Sequence, residues 1–153
     1  ILAAITASIF DFLCSFVLLI VLMIWFGIGP SVGALVFVPM LLLAILTVFG
    51  LSLWLSALNV SFRDVGQLLP FLVQLWMFLS PVIYPSGLLP AKYSFLYALN
   101  PIVVVIDTSR WAFAGGLPPQ WWMVEVSVFV ALFFCVTGFW FFRRMEATFA
   151  DIV

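Results

Sequence analysis

Apolar residues run through this sequence in long uncharged blocks, without the alternation or amphipathic period of a water-soluble fold. Positions 12–62 carry no Asp, Glu, Lys or Arg, and neither do positions 65–91. A bilayer core takes about 20 apolar residues per helical crossing. The first block with its flanks therefore holds two crossings and the second holds one. The pattern predicts an all-α integral membrane protein, a single transmembrane domain over 1–153 with four spans at about 3–27, 34–58, 68–84 and 121–142. Gly27-Ile28-Gly29-Pro30-Ser31 separates the first two spans as the turn of a helical hairpin. A short polar loop, Asn59 to Gly66, leads to the third span, which is the shortest and contains Pro70, Gln74, Ser80 and Pro81.

The stretch 85–120 breaks this pattern. It is apolar, yet Pro85, Gly87, Pro90, Asn100-Pro101, Gly115-Gly116 and Pro118-Pro119 cut it into pieces too short to cross. Irregular backbone survives at membrane depth only when it packs on protein or lines a wet cavity. The region is expected to be re-entrant or interfacial, with two short helices at about 90–99 and 102–114 dipping into the outer leaflet.

Composition sharpens the exclusions. The chain is 67% hydrophobic and 7% charged, against about 25% charged in soluble domains. A net charge of −1 leaves no basic face for nucleic acid. Histidine is absent, so Ser-His and Cys-His catalysis are excluded, and no cluster has metal-ligand spacing. There is no phosphate-binding Gly-x-x-x-x-Gly-Lys loop. The chain is expected to be neither an enzyme nor the holder of a cofactor. Cys14 and Cys135 sit in apolar runs and read as small hydrophobes. Opening at Ile1 inside an apolar run, with no basic segment or cleavage pattern before it, the chain reads as a piece of a longer protein and not as a signal peptide. The Arg63 loop and Arg143-Arg144 lie two crossings apart and hold three of the five basic residues, which places that face in the cytoplasm.

Asp11 is the sharpest single residue, because a carboxyl about ten residues into a span faces the bundle interior or a wet path. A hydrogen-bonding role toward a neighbouring helix is favoured over substrate contact. Arg63 and Asp64 read as a solvated turn and helix start, Asp64 suiting the positive end of the third helix, or as the surface touched by a cytoplasmic partner. Asp107 and Arg110 are neighbours on a helix; the pair holds the re-entrant segment in place, or Arg110 meets an anionic substrate.

The runs Leu58-Asn59-Val60-Ser61-Phe62-Arg63-Asp64-Val65 and Leu75-Trp76-Met77-Phe78-Leu79-Ser80-Pro81-Val82-Ile83-Tyr84-Pro85 resemble the permease of ABC type-2 polysaccharide exporters. Ala98-Leu99-Asn100-Pro101, Phe142-Arg143-Arg144-Met145-Glu146 and Thr148-Phe149-Ala150-Asp151-Ile152-Val153 are similar to the same family in the same order, and Asp11-Phe12 matches a position where such permeases carry an acid. The resemblance covers essentially the whole chain. It implies the C-terminal part of a six-helix permease of the bacterial inner membrane, exporting lipid-linked O-antigen, capsular polysaccharide or teichoic acid. It further implies a homodimer around a central channel, surrounded by membrane lipid, with ATP and Mg bound by a separate ATP-binding-cassette subunit. The broken outer region would correspond to the family's periplasmic gate helices.

Polar groups in the third span and at Asn100 stand where a lipid-facing helix would have none. Gln74, Ser80, Tyr84, Asn100, Pro101, Asp107 and Arg110 are accordingly the expected channel or gate residues. Two rivals stand beside this reading: an ion-coupled secondary transporter built around Asp11, and a membrane anchor without transport. A drug or small-lipid exporter of the same superfamily is a further alternative.

Overall fold

The computed structural model describes residues 2–29, 33–62, 64–82, 84, 91–115 and 117–149. Among the described residues, three helices are long and apolar enough to cross a membrane. They are α1 (Leu2–Trp25), α2 (Ala34–Ser61) and α6 (Trp121–Phe149). At 1.5 Å per residue each exceeds the roughly 30 Å of a hydrocarbon core. Expectation and structure agree on where these helices lie, because a span is selected by its own solvation. The second and last run on past the expected 58 and 142, since a helix continues beyond the apolar layer wherever nothing breaks it.

The third helix differs from expectation. Expected over 68–84, α3 occupies Val65–Leu79. It stops because Ser80 is extended (φ −94°, ψ 140°), as a residue before proline is driven to be, and Pro81 offers no N–H to continue the ladder. Its 15 residues make a rod of about 22 Å. The re-entrant helices also shift. In place of one helix over 90–99 there is a 3-10 turn, Ala91–Tyr93, followed by the single-turn α4 (Ser94–Ala98). The longer α5 covers Pro101–Ala114 and ends on Gly115 in the left-handed conformation (φ 70°), which glycine adopts without steric cost.

The core is the pair α2 and α6, with α5 laid against both. Met40 and Leu43 pack with Val124 and Ala131, Gly50 meets the backbone at Cys135, and Trp54 meets Thr137 and Phe141. Contacts advance together along both helices, so α2 and α6 run in the same direction. The intervening chain therefore has to return across the layer, which α3 begins.

Lipid tails are as apolar as leucine, so helices associate in a membrane by close packing and hydrogen bonds. Both devices are present. A Cβ on Gly50 would come 2.6 Å from the Cys135 amide nitrogen, and one on Gly138 would come 2.6 Å from the Gly50 carbonyl oxygen. The two glycines thus let the backbones touch. Below them the Trp54 indole N–H donates to Thr137 Oγ1 (3.1 Å) and stacks on Phe141 at 4.5 Å.

α5 runs antiparallel to α2, with Phe113 against Phe37 and Val104 within the Met40–Leu43 cluster. Its Val103, Val104, Thr108 and Ala112 are buried. Ser127 Oγ of α6 donates to the Ala98 carbonyl (2.9 Å), fastening α4. α1 is the most peripheral helix. It leans on the bundle through Phe12 and Phe16, which meet Phe37 and Phe113.

Candidate functional site

Among the described residues, the end of α3 is where several polar side chains gather beside a break in the backbone. A helix that stops inside a membrane leaves carbonyls without amide partners, and each must find a donor there. Arg110, on α5, supplies donors for the turn that follows. Its Nη1 donates to the Tyr84 carbonyl (3.1 Å), and its Nη2 donates to the Val82 carbonyl (3.0 Å) and to that of Pro81. The guanidinium suits this task because its five N–H groups form a rigid fork and never lose their charge. Asp107 lies one turn earlier on the same face, 3.7 Å from Nη1, and balances that charge.

Asn100 works at the other end of α5. It is the N-cap, with Oδ1 accepting from the Ile102 amide (3.2 Å) and Pro101 in the first turn; both are preferred choices at those positions. The same carboxamide reaches α3. Oδ1 also accepts from the Trp76 indole N–H (3.2 Å), and Nδ2 donates to Ser80 Oγ (3.0 Å). Ser80 is only 2% exposed, so this partner satisfies a hydroxyl that would otherwise be stranded.

A third tie joins Tyr84 and Tyr97, whose hydroxyls are 2.8 Å apart. Since the Tyr84 hydroxyl donates to the Phe78 carbonyl (3.2 Å), the Tyr97 hydroxyl donates to Tyr84. Tyr97 lies outside the spanning helices, and this bond, with burial and the second phenol adding, pushes its pKa up to about 12. Tyr97 therefore keeps its proton. Alongside these ties opens a cleft of about 770 Å³ between α3 and the α2–α6 pair, walled by Leu51, Leu55, Leu72 and Phe134, with Asn100 on its margin.

Of the seven expected gate residues, the fold gathers Ser80, Tyr84, Asn100, Pro101, Asp107 and Arg110 into this cluster. Gln74 is exposed on α3 and takes no part in the hydrogen bonds described. Asp11 is also exposed and takes no part in the hydrogen bonds of the cluster, its backbone carbonyl accepting from Ser15 Oγ (3.0 Å). Asp64 precedes α3 without a side-chain cap bond. Its neighbour Arg63 lies outside the described residues, as do Pro85, Gly87, Pro90 and Gly116. Trp76 and Tyr97 belong to the cluster and were not among the expected residues. The usable signal was that a polar tip on an aromatic ring inside the membrane calls for a partner.

Three membrane-length helices, with the shorter α3 pinned to α4 and α5 between two of them, define a multi-pass membrane protein. Residues 1–114 match the ABC-2 type transporter family, and the chain belongs to that family, in the inner membrane. Two curated relatives, both named O-antigen export system permease protein RfbA and both from Klebsiella pneumoniae, are 26% and 25% identical over 143 residues. A relative of the same name from Myxococcus xanthus is 30% identical over 142 residues. The alignments cover 93%, 93% and 88% of this chain and 55% of each relative. The chain spans about half the length of the curated relatives it matches.

Proposed function

We propose that this chain is part of the permease subunit of an ATP-driven exporter that moves lipid-linked polysaccharide across the bacterial inner membrane. The observation that carries the reading is the break at Ser80–Tyr84, held to the re-entrant helices by Arg110 and Asn100 in a chain of the ABC-2 family. Lipid-facing helices have no use for such a break. A gate at the outer mouth of a polar path does, because the segment has to move without exposing bare carbonyls to lipid. The O-antigen export named for the relatives supports a glycan as cargo. In this reading the full-length permease forms a homodimer around the path. A separate ATP-binding-cassette subunit binds ATP and Mg, and its cycle moves the cytoplasmic helix ends near Arg63 and Asp64.

The test is purification of the full-length parent from its own cells in mild detergent. We expect a stoichiometric ATP-binding-cassette subunit, with ATPase activity that changes when lipid-linked glycan is added. A homo-oligomer without any ATPase partner would sink the reading.

One observation keeps the ion-coupled alternative in view: Asp11 stands mid-helix, and no described residue is seen bonding to its carboxylate. Replacing Asp11 with Asn keeps the shape and removes the titrating group. Export driven by ATP is expected to continue in that variant, measured as glycan reaching the cell surface. Loss of export, together with loss of its dependence on the proton gradient, would favour ion coupling.

A further inference from the structure

We infer that the Asn100 carboxamide is the latch that keeps the outer gate closed at rest, with Arg110 as the pivot it works against. The inference rests on the exporter reading and adds the residue that controls the gate.

Asn100 makes bonds of two kinds. Its bond from the Ile102 amide is local and belongs to α5, so it survives any rigid movement of that helix. Its bonds with Trp76 and Ser80 cross to another element, 24 and 20 positions away in the chain. Arg110 holds Pro81, Val82 and Tyr84 after α3, not α3 itself. The joint at Ser80 thus lies between a segment fixed to α5 and a helix joined to α5 at that end through the Asn100 carboxamide, while the tyrosine pair ties the segment to α4. Breaking the two crossing bonds would leave the last turn of α3 tied at this end through the Tyr84 hydroxyl on the Phe78 carbonyl, and let it swing about the Ser80–Pro81 break.

The surroundings allow that movement. No residue of α3 is buried, and the apolar cleft separates it from α2 and α6, so little close packing has to be undone.

The experiment uses the full-length permease with its ATPase partner in proteoliposomes loaded with a small fluorescent dye, without ATP. Ser80→Ala removes one crossing bond. Asn100→Ser keeps the cap, since serine is a good N-cap residue, but is too short to reach α3. Asn100→Asp keeps both acceptor roles and can take a hydrogen bond from the Ser80 hydroxyl.

Resting dye leak is expected to rise about fivefold to tenfold in Ser80→Ala, the shift that one ordinary hydrogen bond corresponds to, and further in Asn100→Ser, which loses both crossing bonds. Asn100→Asp is expected to bring the leak back down. Amide hydrogen exchange on the same samples should quicken over 76–80 and stay unchanged over 102–105. Wild-type leak in both weakened variants, or equal leak in all three, overturns the latch. The exchange pattern decides the latch even if the complex transports no glycan, whereas absent glycan-dependent ATPase activity in the wild type speaks only against the exporter reading.

Discussion

Replacing Arg110 with alanine is expected to prevent stable assembly of the full-length permease. The side chain serves three backbone carbonyls, those of Pro81, Val82 and Tyr84, and faces Asp107. Leaving part-buried carbonyls without their charged donor costs about 1–3 kcal/mol, a substantial share of the stability of a folded domain. Arg110→Lys should fall between wild type and alanine, because one ammonium cannot reproduce a planar fork across three acceptors. Asp107→Asn should be the mildest, since it removes a 3.7 Å ion pair and leaves the clamp in place. The yield of detergent-soluble permease and its apparent Tm would order the three variants. An alanine variant that melts with the wild type would mean the clamp contributes nothing.

The second large effect is expected at the crossing of α2 and α6. A methyl group at Gly50 would press on the Cys135 amide nitrogen at 2.6 Å, an approach to backbone that no rotamer change relieves. Gly50→Ala is expected to destabilise by about 1–3 kcal/mol through overpacking, and Gly50→Leu to separate the helices altogether. Gly138→Ala should resemble Gly50→Ala, its added carbon meeting the Gly50 carbonyl oxygen. The double alanine variant should lose less than the sum, because the first substitution already moves the helices apart where the second would clash. Thermal unfolding of the four proteins in one detergent checks both claims. Full additivity would show that the glycines act separately.

Much of the helical layout could be read from the chain. Spans one, two and four stand out because twenty or more consecutive apolar residues have only one stable environment. The cut at Asn100-Pro101 was equally plain, since proline in the first turn and a capping residue before it mark a helix start. The third span was overextended to 84 because Val82, Ile83 and Tyr84 continue the apolar pattern. Hydropathy does not register that Pro81 ends the hydrogen-bond ladder and turns Ser80 extended. The expected helix over 90–99 was too regular for the same reason, as its apolar residues serve a 3-10 turn and a single α-turn.

The candidate site was half visible. Asp107 and Arg110 could be paired because a helix fixes the geometry of residues three apart. That Arg110 spends its fork on carbonyls 26 to 29 positions away could not be read from any local pattern. Gln74 looked equivalent to Ser80 as a polar residue in an apolar helix. Only the fold separates them, burying Ser80 beneath Asn100 and leaving Gln74 exposed.

By itself, then, the sequence determined the membrane setting, the positions of the long helices and the break at Asn100-Pro101. Those properties follow from solvation and backbone chemistry within a few neighbouring residues. The tertiary structure alone decided that α2 and α6 run in the same direction, that Gly50 and Gly138 bring them into backbone contact, and that Asn100 and Arg110 tie α5 to the end of α3. Each of these depends on groups far apart in the chain, such as Trp54 and Thr137 at a separation of 83 positions, whose meeting is set by the packing of whole helices.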